Sequence, residues 1–205
     1  MAIFANPTPS EIPSQSGINI LFLHGLEGSP EGQKAVHLKR KWGANVPKLR
    51  TEMLRDLKSK FSGTAWKEMP EAQLKTAFDK VYLDALSALN YIKPDIVIGS
   101  SLGGAILARM LIEGKWLGNS IFLAPAIDPL LGDVTLPETR NSVWILGELD
   151  TEVPNGPNVY HCLKSGGSLV VMESEGHRLP KAVTSGLLDN AITTVIEIDQ
   201  VKSRV

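Results

Sequence analysis

Asp95-Ile96-Val97-Ile98-Gly99-Ser100-Ser101-Leu102-Gly103-Gly104 decides how this chain is read. Four residues that suit a strand buried on both faces run into G-x-S-x-G, with Ser101 at its centre. Ala105, Ile106 and Leu107 then continue as a helix. A side chain raised on a tight strand-to-helix turn needs close backbone neighbours, and Gly99, Gly103 and Gly104 give the clearance. The hydroxyl of Ser101 would leave the carboxyl end of a sheet, where open α/β sheets take their ligands. The helix beginning at Leu102 offers unpaired N–H groups to a developing negative charge. Ser100 is the poorer choice, because centring the motif on it loses both flanking glycines.

Outward from this stretch, two kinds of segment alternate. Apolar runs at 18–23, 95–98, 120–123, 142–146 and 168–172 read as strands, and a weaker sixth around 45–49 carries Pro47, which suits an edge. In the stretch 71–91, Leu74, Phe78, Val81, Tyr82, Ala85 and Leu89 recur at three- and four-residue steps. Leu188, Ala191, Ile192, Val195 and Ile196 do the same near the end. Alternating strands and helices imply a three-layer α/β/α sandwich on a mostly parallel sheet of about six strands. Residues 1–17, with Pro7, Pro9 and Pro13, read as an irregular lead-in, and 18–205 as a single domain.

Composition narrows the function. Of 205 residues 43% are hydrophobic, enough for a sizeable core, and the net charge is −1, so no basic field favours nucleic acid. The run Lys39-Arg40-Lys41 reads as the solvated face of a helix. The single cysteine, Cys162, cannot make an internal disulfide or a cysteine-based zinc site. No apolar run spans a bilayer, and the first 17 residues lack the basic and apolar segments of a secretion signal. A cytoplasmic protein without membrane insertion is expected.

Around Ser101 the chain resembles the α/β-hydrolase superfamily. Leu23-His24-Gly25-Leu26-Glu27-Gly28-Ser29-Pro30 is similar to that superfamily's His-Gly turn. The resemblance implies two oxyanion donors, the backbone N–H groups of Leu26 and Leu102. A phosphate-cradling loop anchored on Lys34 is the rival, and Gln33 and Ala35 break its pattern.

A serine hydroxyl needs a base, and four histidines are available. His24 is expected to hold the oxyanion turn, His37 to be solvated, and His161 to lie in a helix without pairing with Cys162. His177 follows the last strand in a loop and occupies the superfamily's position for the base. Gly147-Glu148-Leu149-Asp150-Thr151-Glu152-Val153-Pro154 resembles the run that carries the superfamily's acid, which implies Asp150 rather than Glu148 or Glu152. Asp128 competes, with the reading of a turn-forming residue before Pro129 preferred for it. Ser101, Asp150, His177 is then the superfamily's chain order.

Only the first strand precedes the His-Gly turn, and residues 125–141 are too few, with three prolines, to build a lid. The plan is similar to the small lidless esterases of bacteria, the YqiA-like group. That resemblance implies a serine hydrolase cleaving a small carboxylic ester, with no cofactor and no metal. Leu26, Leu102, Leu130 and Leu131 are candidates to line an acyl pocket, and Trp66 to form its rim. Thioester or amide cleavage uses the same triad, and a non-catalytic binding protein on the same fold is the alternative from another class. Oligomeric state is not readable.

Overall fold

The computed structural model describes residues 17–139 and 141–202, so the expected lead-in over 1–17 lies, Gly17 apart, outside the described residues. The strands are β1 (Ile20–Leu23), β2 (Ile96–Ser100), β3 (Asn119–Leu123), β4 (Ser142–Gly147) and β5 (Ser168–Met172). They form one parallel sheet in the order β1-β2-β3-β4-β5. The helices are α1 (Gln33–Trp42), α2 (Glu52–Lys60), α3 (Glu71–Ile92), α4 (Leu102–Ile112), α5 (Ile127–Leu131), α6 (Asn155–Ser165), α7 (Lys181–Thr184) and α8 (Leu187–Lys202), with a short 3-10 turn at Trp66–Glu68.

The near-continuous apolar runs of β1 to β4 are explained by the two layers that cover them. Successive side chains of a strand point to opposite faces. Leu21 and Leu23 accordingly join Val97, Phe122 and Trp144 beneath α2, α3, α4 and α6, whereas Ile20 and Phe22 join Ile98, Ile121 and Ile145 beneath α1, α7 and α8. Phe122 and Trp144 are fully buried and stack with ring centroids 4.0 Å apart. Truncating either should cost roughly 3–5 kcal/mol. The three- and four-residue stripe of α3 faces the first of these cores. Pro94 disfavours a further helical residue, so Lys93 leaves α3 in the left-handed region at φ 49°.

The sheet has five strands rather than about six. Asn45 makes one parallel bridge to Leu21, donating to the Ile20 carbonyl at 2.8 Å while its own carbonyl accepts the Phe22 N–H at 2.9 Å. The next donor in that ladder would be residue 47, and Pro47 has no N–H to give. The pairing stops after one rung. No helix among the described residues is long and apolar enough to cross a membrane.

Candidate active site

Parallel strands bring all their carboxyl ends to one edge, and the distinctive loops leave from it. β2 passes into Ser101, the N-cap of α4, whose backbone sits at φ 51°, ψ −112°. That region is sparsely populated for a residue with a Cβ and costs of order 1–3 kcal/mol. Hydrogen bonds hold it there. The Ser101 N–H donates to the Leu123 carbonyl at 2.9 Å, and its own carbonyl accepts from Gly104, Ala105 and Ala126 at 2.9–3.1 Å. The turn also brings α4 hard against β1, since a Cβ on Gly103 would lie 1.9 Å from the Leu23 carbonyl oxygen. Glycine is obligatory there on packing grounds alone.

The loop after β4 carries Asp150 and the loop after β5 carries His177. One oxygen of the Asp150 carboxylate accepts His177 Nδ1–H at 2.8 Å, and the other accepts the N–H groups of Glu152 and Val153 at 3.0 and 2.9 Å. Its side chain is 0% exposed. Burial pushes its pKa up. The bonds from His177 and from the Val153 and Glu152 amides, with the field of the imidazole, outweigh that and hold the carboxyl below the ordinary aspartate range. An ionised carboxylate only accepts, so Nδ1 of His177 carries the proton and Nε2 presents a lone pair. That Nε2 accepts the Ser101 hydroxyl at 2.8 Å.

The two loops are laced together beside this contact. Leu149 N–H donates to the Glu175 carbonyl at 2.8 Å, and Ser174 N–H donates to a Glu148 carboxylate oxygen at 2.9 Å. The approach is close enough that a Cβ on Gly147 would lie 2.5 Å from the Glu175 carbonyl oxygen. Glu148 thus joins the loops without touching the imidazole.

On the other side of Ser101 lies the turn after β1. A Cβ on Gly25 would meet that of Ser101 at 3.2 Å. Among the described residues, neither the Leu26 nor the Leu102 N–H has a hydrogen-bond acceptor. Both residues are buried, and backbone N–H groups left unpaired in such residues ask what they serve. Arg55 holds the turn from outside, donating to the Leu26 carbonyl at 2.9 Å and to the Gly28 carbonyl at 3.3 Å. His24 holds it from inside. Its Nδ1–H donates to the Gly25 carbonyl at 2.8 Å, and its Nε2 accepts Leu49 N–H at 3.4 Å. Burial pulls its pKa below the ordinary histidine value, with Gly25 and Glu31 opposing and Arg55 assisting. A neutral ring with both nitrogens engaged is spent on the turn.

A cavity of about 410 Å³ opens over Ser101 and His177. Leu26 is among its lining, whereas Leu130, Leu131 and Trp66 are not: all three are half-buried and pack on the core beneath α3 and α4. The five-residue α5 turns its leucines back onto that core. The cavity wall comes instead from the first turn of α1, including Lys34, whose role no local pattern announces.

Two expectations for other residues change. His37 is half-buried and donates to Asp189 at 2.9 Å, because α1 packs beside α8. Asp128 sits in α5 and accepts His161 Nε2–H at 2.7 Å, instead of serving only as a turn residue before Pro129. Cys162, beside His161, is buried, and burial pushes its thiol up to about 11. Among the described residues no group of three His, Cys, Asp or Glu side chains is arranged to hold a metal ion.

No protein-family model and no curated protein matches the sequence. Solved structures do match. A candidate hydrolase of the alpha/beta superfamily from Xanthomonas campestris pv. campestris aligns over 90% of this chain and 98% of its own, with TM-score 0.59 and 17% identity. Est1E from Butyrivibrio proteoclasticus aligns over 95% and 92%, with TM-score 0.60 and 15% identity. YahD, solved with malic acid, aligns over 89% and 93%, with TM-score 0.59 and 16% identity. The chain has the α/β-hydrolase fold.

Proposed function

We propose that this protein is a serine hydrolase that cleaves a small carboxylic ester through an acyl-enzyme. The observation that carries the reading is the unbroken chain from the Ser101 hydroxyl to His177 Nε2, and from His177 Nδ1–H to Asp150, each step 2.8 Å, built on a serine whose backbone is held at φ 51°. Strain maintained at a hydroxyl that meets an imidazole is expensive unless the hydroxyl reacts. The likeness in fold to the Xanthomonas protein, named for hydrolase chemistry, adds weaker support.

In this mechanism Ser101 Oγ attacks the ester carbonyl as His177 Nε2 takes its proton. The buried Asp150 carboxylate keeps the imidazole in the required tautomer and stabilises the imidazolium. Negative charge collects on the former carbonyl oxygen, which the Leu26 and Leu102 N–H groups stabilise. His177 returns its proton to the departing alkoxide, leaving Ser101 acylated. Water then attacks the acyl-enzyme with His177 again as base. The carboxylic acid leaves and the serine regains its proton.

A graded panel of p-nitrophenyl esters and acyl-thioesters tests this. Wild type should hydrolyse short esters faster than thioesters of equal length, and Ser101→Ala should lose the activity. Wild type inert toward the whole panel, or Ser101→Ala as active as wild type, would overturn the reading.

A further inference from the structure

The serine, histidine and oxyanion turn occupy one side of the cavity, and the charges on its wall are not used by the mechanism above. Five charged side chains line that wall: Lys34, Lys58, Arg178, Glu27 and Glu152. Four are exposed and mutually offsetting in water, where their pairwise effects are small. Lys34 is half-buried. It projects from the first turn of α1, and its ammonium donates to the carbonyl of Arg178, the residue that follows His177. A charged head group is thereby fixed next to the histidine loop, on a residue that lines the same cavity as Ser101.

That ammonium has three donors, and among the described residues one is satisfied. Glu175, a buried carboxylate whose field reaches Lys34, makes no hydrogen bond to it among the described residues and does not supply the rest. Glu175 accepts Lys181 N–H at 3.2 Å and pairs with the Lys181 ammonium at 3.3 Å. Burial lowers the pKa of Lys34, with Glu175 working against that fall and Arg178 adding to it. A partly desolvated cation with no bonded anion attracts an arriving carboxylate more strongly than a fully exposed one would. The first turn of α1 contains no acidic residue to compete with it.

We infer that the cavity takes an ester bearing a carboxylate apart from its scissile group, with Lys34 bonding that carboxylate and the Arg178 guanidinium as the second cation beside it. This rests on the serine-hydrolase reading, which leaves the substrate's charge open. A cavity of this volume suits a small molecule. In such a molecule one ammonium-to-carboxylate bond contributes a large share of specificity.

The test compares kcat/KM for two matched pairs. One is the mono-p-nitrophenyl ester of adipic acid against its methyl-capped diester, with the charge on the acyl side. The other is 4-(butanoyloxy)benzoate against its methyl ester, with the charge on the leaving group. At low ionic strength the carboxylate member of at least one pair should be preferred about tenfold, the size of one charge-assisted hydrogen bond. That ratio should fall toward one in Lys34→Met and shrink with added salt. A wild-type ratio near or below one in both pairs overturns the inference and needs no variant, so a misfolded Lys34→Met leaves the test decisive. A ratio unchanged in folded Lys34→Met also overturns it, since Lys34 would then only tie α1 to the Arg178 carbonyl. Labelling by a fluorophosphonate separates the two readings. Labelled enzyme with ratios near one sinks only the anionic substrate, whereas unlabelled enzyme inert to all four esters sinks the serine hydrolase.

Discussion

Among the described residues, three histidine–aspartate pairs have nearly equal length: His177–Asp150 at 2.8 Å, His161–Asp128 at 2.7 Å and His37–Asp189 at 2.9 Å. They differ in what surrounds them. The Asp150 carboxylate is sealed and also bonded by two backbone amides, and the second nitrogen of its histidine meets a hydroxyl on a strained turn. Asp128 is 40% exposed. Asp189 is shared among His37, Lys41 and Trp42 as the tie between α1 and α8. Among the described residues, no hydroxyl bonds the second ring nitrogen of either His161 or His37. A histidine beside a carboxylate is therefore a common device for joining elements. The pair becomes a candidate for chemistry only where the far nitrogen faces a nucleophile at the edge shared by all the strands.

The comparison breaks first at the nucleophile and base. Ser101→Ala and His177→Ala should each lower kcat for a p-nitrophenyl ester by about 10⁴-fold or more, with folding unchanged by circular dichroism. Next, Asp150→Asn should cost about 10³- to 10⁴-fold, because an amide in place of the carboxylate favours the wrong imidazole tautomer. Equal loss in Asp128→Asn would erase the distinction drawn here, and that variant should instead keep kcat within about threefold.

Asp189→Asn sharpens the contrast from the other side, through stability. It should leave kcat nearly intact and lower unfolding free energy by roughly 1–3 kcal/mol in urea titrations, since it removes the charge in a part-buried cluster of three donors. The pH dependence has a definite sign. Burial raises the pKa of Asp189, but the bonds from Trp42, Lys41 and His37 together bring it below the ordinary value. Its contribution is thus full above the unfolded aspartate pKa of about 3.9 and is lost as pH falls through the lower folded value. Wild type should lose its urea midpoint more steeply than Asp189→Asn between pH 5 and acid.

What was legible in the chain follows from local physics. A strand covered on both faces must be apolar throughout, so β2 announced itself as Ile96-Val97-Ile98, and a turn crowded against another strand must be glycine, so Gly103 marked the strand-to-helix turn. These patterns singled out Ser101, whereas Asp150 and His177, which hydrogen bonds join to it, came from the resemblance to the α/β hydrolases. The sixth strand failed on a single missing donor at Pro47. The pairs His37–Asp189 and His161–Asp128 join residues far apart in sequence, and nothing in either local spacing signals the partner. The same holds for Arg55 on the turn after β1 and for Lys34 in the cavity wall. Both depend on how helices return across the sheet edge, which hydrophobic periodicity leaves open. Leu130 and Leu131 lie outside the lining of that cavity for a related reason: proximity in sequence to β3 says nothing about which way a five-residue helix turns.

The central claim is that Ser101 alone among the hydroxyls is made nucleophilic. It is tested most directly by treating the protein with a fluorophosphonate and mapping the adduct by tandem mass spectrometry. The account predicts one adduct per chain, on Ser101, absent in Ser101→Ala and greatly slowed in His177→Ala. An unmodified wild type, or an adduct that maps to another residue and persists in Ser101→Ala, would contradict it.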